Sequence, residues 1–497
     1  MPDVVSVEQI NAVYLKIEAD SGIRMELEDY FKFQPSNYQF SPAYKNRVWD
    51  GWIRIFQAMR PKLYVGLFGK LKRFCEDRGY ELRASDQLLA GEDIPDDYGY
   101  QIAKDINCKF EPRDYQNQYI VDAIKWSRSL SLSPTSSGKS LIIYLITQHY
   151  MQNYGHRTLI IVPTISLVHQ MAGDFVDYGC DKDLIYKIQG GIDKETDAPI
   201  VVSTWQSLIK LPKEWFSQFN VVLGDEAHNF QAKSLQKIME GLDQCYYRHG
   251  FTGTLKSEES KTHRLVLEGC FGEVRKHVTT KDLMDSGTVA DFNIKAIVLS
   301  YEKDTRKQFI KAFKQIKEGS KRYPAEREFL VNNTKRNIFI RNLLWSLEGQ
   351  NNLVLFDLVE KHGKILEPML RRDDRQLHFI YGATKGDERE RIRHLIENDP
   401  TKQHDILASY GVFSTGVNLK KLDNVIFASG SKSEVKVLQS IGRALRKGND
   451  ADKATLYDIT DDLSQGSFTN YTLQHFRKRI EIYGREEFPF RVYTVEI

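Results

Sequence analysis

Residues 133–140 (SPTSSGKS) place a glycine, a lysine and a serine at the spacing of a phosphate-binding loop. The preceding SLSL predicts a strand and the following LIIYLITQHYMQ predicts a helix, so backbone N–H groups would face phosphate oxygens. Lys139 would then hold the β and γ phosphates, and Ser140 would bind Mg²⁺. Ser133 replaces the first glycine of the usual loop, so a simple helix-starting turn is an alternative for this segment alone. The residues predicted to line the loop are Pro134, Thr135, Ser136, Ser137, Gly138, Lys139 and Ser140.

Two adjacent carboxylates, Asp225 and Glu226, follow a buried-strand pattern at residues 221–223. Open α/β sheets bind ligands at the carboxyl ends of their strands. Asp225 suits the coordination shell of Mg²⁺, and Glu226 suits the orientation or deprotonation of an attacking water. A solvated acidic loop is the alternative, but the phosphate-loop pattern upstream favours catalysis.

Both segments need a scaffold, and from about residue 110 short apolar runs alternate with helical patterns. This alternation predicts parallel sheets covered by helices. The predicted buried strands are residues 158–162, 200–203 and 221–223 in one half, and 353–356, 406–409 and 425–428 in the other.

The alternation is interrupted at residues 286–292 (SGTVADF), and a long amphipathic stretch over residues 303–347 precedes the second series. We place the linker there. Residues before about 108 do not continue the alternation, which predicts a separate domain. We therefore predict an α/β fold of two tandem parallel-sheet lobes with a small amino-terminal α+β accessory domain. The predicted boundaries are 1–108 for the accessory domain, 109–287 for the first lobe, 288–463 for the second lobe, and 464–497 for an extension packed on the second lobe.

The composition is that of a globular protein, with 41% hydrophobic and 28% charged residues in 497. A net charge of +3 neither requires nor excludes a polyanionic partner. The five cysteines form no CxxC pair or Cys/His cluster, which predicts reduced thiols and no zinc site. We find no signal pattern and no apolar stretch of about 20 residues, so we expect a cytoplasmic protein.

An ordered set of short motifs resembles the superfamily 2 helicases with a DEAH-type second motif. Residues 225–228 (DEAH) match the second motif, and SPTSSGKS matches the first, which in this family commonly lacks the first glycine. The other matches, in the family's order, are RDYQ at 113–116, IVPTISLVHQ at 161–170, TWQS at 204–207, FTGT at 251–254, LVLF at 353–356, STGVN at 414–418 and QSIGRALR at 439–446.

This resemblance implies two RecA-like domains with Mg²⁺ and ATP held between them. Arg443 and Arg446 would reach the phosphates from the second lobe and stabilise the charge of the transition state. A solvated helix face is the alternative for these two arginines. The residues implied to bind the nucleotide besides the phosphate loop are Arg113, Gln116, Gly416, Arg443 and Arg446. The residues implied to couple hydrolysis to movement are His228, Thr252, Thr254 and Gln439.

The resemblance also implies a nucleic-acid path at Thr164, Thr204, Gln206 and Thr415. Contacts of this kind reach the sugar-phosphate backbone and carry no sequence information. Binding should therefore weaken as salt is added.

The amino-terminal domain has a local excess of basic residues, nine against three acidic ones over residues 44–78, interleaved with aromatics. Basic and aromatic side chains together suit a groove that tracks phosphates, with base stacking or a wedge. The alternative is that the aromatics form the core of this small domain. The residues predicted to contact nucleic acid are Lys45, Arg47, Trp49 and Arg54.

Residues 46–54 (NRVWDGWIR) and the two-lobe core resemble, more closely, the phage recombination and replication helicases within this superfamily. That resemblance implies a partner of branched or forked DNA, with RNA–DNA hybrids included, and a host-cell cytoplasmic location. The implied activities are unwinding, branch migration and strand annealing. An RNA-directed helicase, a duplex translocase and an ATP-gated clamp or annealing protein stay open as alternatives, because backbone contacts do not distinguish them. A P-loop kinase or GTPase needs neither a DEAH motif nor a second lobe, so the sequence disfavours both of these classes.

Overall fold

The structure is a computed structural model. It describes residues 3–35, 38–191, 193–255, 261–399, 401, 403–415, 422–430, 437 and 453–497, with only the backbone at 261–263, 291, 413–415 and 453. The chain divides into two compact units, Met1–Val278 and Thr279–Ile497. Within the described residues, no helix is long and apolar enough to cross a membrane.

The first unit contains thirteen described strands and twelve described helices. The strands are β1 Val4–Gln9, β2 Tyr14–Glu18, β3 Lys32–Phe33, β4 Ile53–Arg54, β5 Lys62–Tyr64, β6 Glu81–Arg83, β7 Arg128–Leu132, β8 Thr158–Val162, β9 Ile185–Ile188, β10 Ile200–Thr204, β11 Val221–Asp225, β12 Tyr247–Thr252 and β13 Val274–Arg275. The helices are α1 Ser21–Tyr30, α2 Pro42–Lys45, α3 Phe68–Arg78, α4 Asp86–Ala90, α5 Tyr98–Asp105, α6 Asp114–Trp126, α7 Lys139–Tyr154, α8 Ile165–Tyr178, α9 Trp205–Leu208, α10 Lys213–Phe216, α11 Lys233–Gly241 and α12 Lys261–Phe271.

The second unit has the same kinds of element. Its strands are β14 Asp291–Ser300, β15 Asn352–Phe356, β16 Gln376–Ile380, β17 His404–Ser409, β18 Asn424–Phe427, β19 Lys453–Asp462 and β20 Phe490–Glu496. Its described helices are α13 Thr280–Asp285, α14 Lys303–Lys314, α15 Gly319–Val331, α16 Thr334–Trp345, α17 Lys364–Leu370, α18 Gly386–Asn398, α19 Tyr410–Thr415 and α20 Tyr471–Arg485.

The amino-terminal part of the first unit is a small α+β domain. Its sheet has the order β5-β2-β1-β6, in which β1 is antiparallel to β2 and parallel to β6. The domain packs against the rest of the unit: Tyr64 OH donates to Glu240 at 2.7 Å, and Lys70 Nζ lies 3.0 Å from Glu268. Gly66 fits so tightly that a Cβ there would lie 2.1 Å from the Glu268 carbonyl oxygen. The small domain is thus fixed to the first lobe.

The first lobe is built on a seven-stranded sheet with the order β13-β7-β12-β11-β8-β10-β9. Every described pair in it is parallel. Strands β7, β12 and β11 are neighbours, so the segments that follow them emerge side by side at one edge of the sheet. That edge brings the phosphate-loop segment, the DEAH segment and the FTGT segment together.

The second unit has its own seven-stranded parallel sheet, with the order β16-β17-β15-β18-β19-β14-β20. Its edge strand β20 comes from the predicted carboxyl-terminal extension and pairs with β14. Two buried ion pairs fasten helices to β19: Arg336 lies 2.8 Å from Asp461, and Arg479 lies 2.8 Å from Asp458.

The predicted fold is confirmed, with two parallel-sheet lobes and a small α+β domain. All six predicted buried strands lie within β8, β10, β11, β15, β17 and β18 to within one residue, and SLSL lies in β7. The other strands of the two lobe sheets were not predicted, namely β9, β12, β13, β14, β16, β19 and β20. All five cysteines are free thiols. Within the described part of the chain, no three or more His, Cys, Asp or Glu side chains cluster as a metal-binding group.

Candidate functional site

The loop between β7 and α7 is held in shape by its own serines. Ser133 Oγ lies 2.6 Å from Ser137 Oγ, and the Ser137 hydroxyl donates to the Pro134 carbonyl at 2.7 Å. Ser133 therefore ties the two ends of the loop together where the usual loop has a glycine. Gly138 has φ +77°, and a Cβ there would lie 2.4 Å from Gln116 Nε2. The left-handed conformation favours glycine at that position, and any larger residue would also displace the Gln116 amide.

Lys139 is the first residue of α7, and its side chain lies over this loop. Its Nζ donates to the carbonyl oxygens of Ser133 at 3.2 Å and Pro134 at 3.1 Å. The ammonium is also close enough to Asp225 to favour the ionised form of that carboxyl. A cation held beside a helix amino end is the arrangement that binds phosphate oxygens.

The two carboxylates lie at the carboxyl end of β11. Burial, and then the neighbouring Glu226 carboxylate, raise the pKa of Asp225 to about 6 against the opposing effect of Lys139. Glu226 adopts φ +51°, in the left-handed region, and its N–H donates to Asp225 Oδ1 at 2.9 Å. Two crowded negative charges with one nearby cation leave a negative site that a divalent cation would stabilise.

Oxygen donors of the kind that Mg²⁺ prefers are therefore present at Asp225 and Ser140. Mg²⁺ is commonly held by one or two protein oxygens, with water and substrate phosphates completing its shell. The donor set fits that cation.

His228 connects the carboxylates to the next strand. Its Nδ1 lies 3.1 Å from Thr252 Oγ1 and 3.3 Å from Glu226 Oε2. The buried Thr252 hydroxyl donates to the Thr254 carbonyl at 2.9 Å. A continuous polar path therefore runs from Glu226 through His228 to Thr252 and Thr254 of the FTGT segment. The coupling role of these residues stays a prediction.

Gln116 is buried against the loop and does not lie on the protein surface. Its Nε2 donates to the carbonyls of Ser137 at 2.9 Å and Gly138 at 3.3 Å, and its Oε1 accepts from Arg113 N at 2.8 Å. Arg113 is exposed, and its guanidinium donates to the Tyr115 hydroxyl at 3.1 Å. Tyr115, which lies within the RDYQ motif but was assigned no role, donates to the Ser137 carbonyl at 3.0 Å.

A second unpredicted tyrosine contacts Ser140. The hydroxyl oxygens of Ser140 and Tyr178 lie 2.8 Å apart. Burial raises the pKa of Tyr178 to about 12, so its phenol stays protonated at neutral pH. Its ring also lies edge-on to Phe110, whose side chain is 52% exposed beside the loop.

The predicted nucleic-acid residues of the first lobe lie at or just after the ends of β8 and β10, which are adjacent strands. Thr164 is the N-cap residue of α8, and its Oγ1 accepts from Leu167 N at 3.4 Å. Thr204 is buried and shares a 3.1 Å hydroxyl contact with Ser207, whereas Gln206 is exposed. These residues lie at the same sheet edge as the phosphate loop.

Four predicted residues, Gly416, Gln439, Arg443 and Arg446, lie outside the described residues. Thr415 is the last residue of α19, where the backbone alone is described. Their assignments stay predictions.

The basic stretch of the amino-terminal domain has both a core and a surface. Phe56 and Phe68 are buried in the domain's core, as the structural alternative expects, whereas Lys45 and Arg47 are exposed.

The other two predicted residues of this stretch are held by protein contacts. Trp49 Nε1 donates to the Trp52 carbonyl at 2.8 Å. The Arg54 guanidinium lies 2.7 Å from Asp50 and 3.0 Å from Glu28. The Arg54 guanidinium is therefore held by ion pairs within the protein, whereas Lys45 and Arg47 are the exposed cations of this stretch.

Comparison with known proteins places this geometry in a family. Three family models match the chain: the type III restriction enzyme res subunit at residues 109–257, the N-terminal domain of the DNA helicase UvsW at 5–85, and the helicase conserved C-terminal domain at 334–448. The ATP-dependent DNA helicase uvsW of Enterobacteria phage T4 is 35% identical over 97% of this chain and 98% of its own length. The chain belongs to the UvsW family of superfamily 2 helicases.

Other UvsW-like similarities agree with this assignment. A crystal structure of T4 UvsW matches 99% of both chains with 32% identity and a TM-score of 0.51. The DNA 3'-5' translocase XPB2 of Sulfurisphaera tokodaii is 25% identical over 84% of this chain and 93% of its own length. As a UvsW-family member the protein is an ATP-dependent helicase with a nucleic-acid substrate, which confirms the predicted class of enzyme.

Proposed function

We propose that this UvsW-family helicase hydrolyses ATP with Mg²⁺ at the site on the first lobe and uses it to remodel branched DNA. The substrates would be forks, R-loops and four-way junctions, opened by unwinding and branch migration in recombination, repair and replication. The observation that carries the proposal is the meeting of Lys139, the Asp225–Glu226 pair and the His228–Thr252 contact at neighbouring strand ends. The branched substrate is supported by similarity to T4 UvsW, whose name describes a DNA helicase.

Each group of the site has a proposed role. The loop residues 134–138 and the amino end of α7 would bind phosphate oxygens through backbone N–H groups, with Lys139 adding a positive charge. Ser140 and Asp225 would hold Mg²⁺, which neutralises charge that develops on the phosphates. Glu226 would orient the attacking water, because its N–H donates to Asp225 Oδ1 at 2.9 Å and its carboxylate lies 3.3 Å from His228 Nδ1.

Further proposed contacts complete the nucleotide site. Arg113 would contact the base, and Gln116 would hold the loop in its binding conformation through the Ser137 and Gly138 carbonyls. Gly416, Arg443 and Arg446 of the second lobe are proposed to bind the nucleotide too, the two arginines by adding positive charge to the phosphates.

Hydrolysis would be transmitted through His228 to Thr252 and Thr254. Because Thr252 donates its proton to the Thr254 carbonyl, its oxygen is free to accept from His228 Nδ1. A change in the position of Glu226 would therefore be transmitted through His228 to the FTGT segment. Gln439 is proposed to act in the same coupling.

The nucleic acid would follow Thr164, Thr204 and Gln206 along the edge of the first lobe, with Thr415 contributing from the second. Lys45, Arg47, Trp49 and Arg54 would form a second contact surface on the amino-terminal domain. Contacts to phosphates make binding insensitive to sequence and sensitive to salt.

The test is a comparison of ATPase rates with forked DNA, single-stranded DNA, duplex DNA and RNA at one salt concentration. The proposal predicts the strongest stimulation by forked DNA, and ATP-dependent strand separation of the same fork. Stronger stimulation by RNA would replace it with the RNA-directed alternative. Fork binding without any ATP-driven strand separation would indicate a clamp.

A further inference from the structure

Val48 and Met59 are the two most exposed large apolar side chains among the described residues, at 82% and 92% exposure. Both lie in the amino-terminal domain, in separate loops. Full exposure of such side chains brings no folding benefit, since apolar surface is stabilised by burial. Their exposure makes both side chains available for an external contact.

The loop that carries Val48 is held by a backbone hydrogen bond and by aromatic packing. Val48 N donates to the Ala43 carbonyl at 2.9 Å, and the turn continues to Gly51 at φ +85°. A Cβ at Gly51 would lie 2.6 Å from the Tyr38 ring, which itself meets Tyr44 edge-on at 4.9 Å between centroids. The Tyr38 and Tyr44 rings thus pack beneath the loop that exposes Val48.

The loop that carries Met59 is fixed to the same support. The Arg54 guanidinium pairs with Asp50, which follows Val48 in the first loop, and with Glu28. The other Glu28 oxygen accepts from Ala58 N at 2.8 Å, one residue before Met59. One Arg54–Glu28 pair therefore anchors both loops.

Cations flank the two exposed side chains. Lys45 and Arg47 precede Val48, and Arg60 and Lys62 follow Met59, and all four are exposed. Within the described chain, none of these four has a carboxylate within ion-pair distance. Basic residues beside exposed apolar side chains are complementary to a DNA duplex, in which phosphates flank the stacked bases.

We propose that Val48 and Met59 form a pin that inserts between bases where a DNA duplex branches, while the flanking cations hold the phosphates. Proteins that insert apolar wedges into duplexes unstack a base step and bend the helix. The pin belongs to a domain that is fixed to the first lobe, so movement of that lobe along DNA would drive it into the branch. The inference rests on the proposed function and names the residues that open the duplex.

The test uses the full-length variants Met59→Gln and Val48→Thr, which keep side-chain size and remove apolar character at exposed positions. Unwinding of a forked duplex is measured per ATP hydrolysed, together with the fluorescence of 2-aminopurine placed at the branch. We expect the double variant to unwind about tenfold less per ATP, because an unstacked base step is no longer covered by apolar side chains. The 2-aminopurine signal of base unstacking should fall with it, while DNA-stimulated ATPase stays unchanged.

The matched control is Met25→Gln, the same change at a residue of α1 that is 67% exposed, and it should behave as wild type. Equal unwinding and equal 2-aminopurine signals in the double variant and wild type would overturn the pin. A change in sedimentation with unchanged unwinding would also overturn it, by assigning the patch to protein contact. If wild-type protein itself fails to separate forks, the proposed function fails instead.

Discussion

The hydroxyl oxygen of Ser140 lies 2.8 Å from the phenol oxygen of Tyr178, 38 residues further along the chain. If Ser140 donates its proton to Tyr178, its lone pairs are free to face a cation. Tyr178 would thereby orient a proposed Mg²⁺ ligand without touching the metal itself. Such outer partners commonly tune metal affinity.

Replacing Tyr178 with phenylalanine should therefore weaken the Mg²⁺-dependent part of nucleotide binding by about tenfold. The measurement is the affinity for a nonhydrolysable ATP analogue in Mg²⁺ and again in EDTA. The ratio of the two affinities should shrink, while the EDTA value stays near that of wild type. Tyr144→Phe is the control, because Tyr144 packs against Tyr178 at 5.6 Å between ring centroids and its hydroxyl makes no hydrogen bond to Ser140 among the described residues. Equal ratios in both variants and wild type would show that Tyr178 only packs.

Asp225→Asn should abolish ATPase activity and yet stabilise the protein. The ionised carboxylate is disfavoured in the fold, with its pKa raised to about 6. A rise of that size above the ordinary aspartate pKa near 4 corresponds to about 3 kcal/mol of destabilisation at neutral pH. Asparagine keeps an oxygen that can accept from Glu226 N.

The pH dependence of that gain has a definite sign. The folded state holds the Asp225 proton up to about pH 6, and an unfolded aspartate releases it near 4, so stability falls as pH rises through this window. The variant's advantage in urea unfolding should thus be present at pH 8 and nearly absent at about pH 4. A variant less stable than wild type at pH 8 would contradict the electrostatic account.

Thr252→Val should uncouple strand separation from hydrolysis. Valine fills the same space without the hydroxyl that His228 Nδ1 contacts at 3.1 Å. Unwinding per ATP should fall about fivefold, the factor for a hydrogen bond worth about 1 kcal/mol. The matched control is Thr158→Val, because Thr158 Oγ1 is buried with no hydrogen-bond partner among the described residues. Equal unwinding per ATP by both variants would remove the His228–Thr252 contact from the coupling.

Gly66→Ala should loosen the amino-terminal domain from the first lobe. Its Cβ would lie 2.1 Å from the Glu268 carbonyl oxygen, and backbone cannot move aside as a side chain can. We expect a loss of about 3 kcal/mol in denaturant unfolding. Gly173→Ala, in α8 with no heavy atom within 4 Å of its Cβ, should instead stabilise the protein slightly. The tight junction also means that deleting residues 1–100 would expose lobe surface, so point variants are the cleaner test of the domain's role.

The strands predicted from sequence are those whose burial follows from local pattern. Strands β12 and β19 were missed because each buries charged residues among its apolar ones. Arg248 in β12 donates to three backbone carbonyls in and just after α11. Asp458 in β19 pairs with Arg479 of α20. Such partners are set by tertiary contact, and no local periodicity reports them.

The candidate site also contains residues that the sequence predicts and residues that only the fold reveals. The motif residues from Lys139 to Glu226 were predictable because phosphate and metal chemistry restricts their types and spacing. The contacts of Tyr115 and Tyr178 were not predictable. Tyr115 belongs to the RDYQ motif, but its bond to Ser137, 22 residues away, is set by the fold, and Tyr178 contacts Ser140 from 38 residues away with no motif to indicate it. Arg54 was predictable as a basic residue, but its pairing with Glu28 needed the fold.

The most direct test of the account is the Lys139→Ala variant, compared with Lys233→Ala at an exposed lysine of α11. The Lys139 ammonium is the charge that the account assigns to the phosphates. ATPase activity with forked DNA should fall by about a hundredfold or more, as for other lost transition-state contacts, while fork binding without nucleotide stays at the wild-type level. Sustained ATP turnover by Lys139→Ala would contradict the assignment of this loop as the nucleotide site.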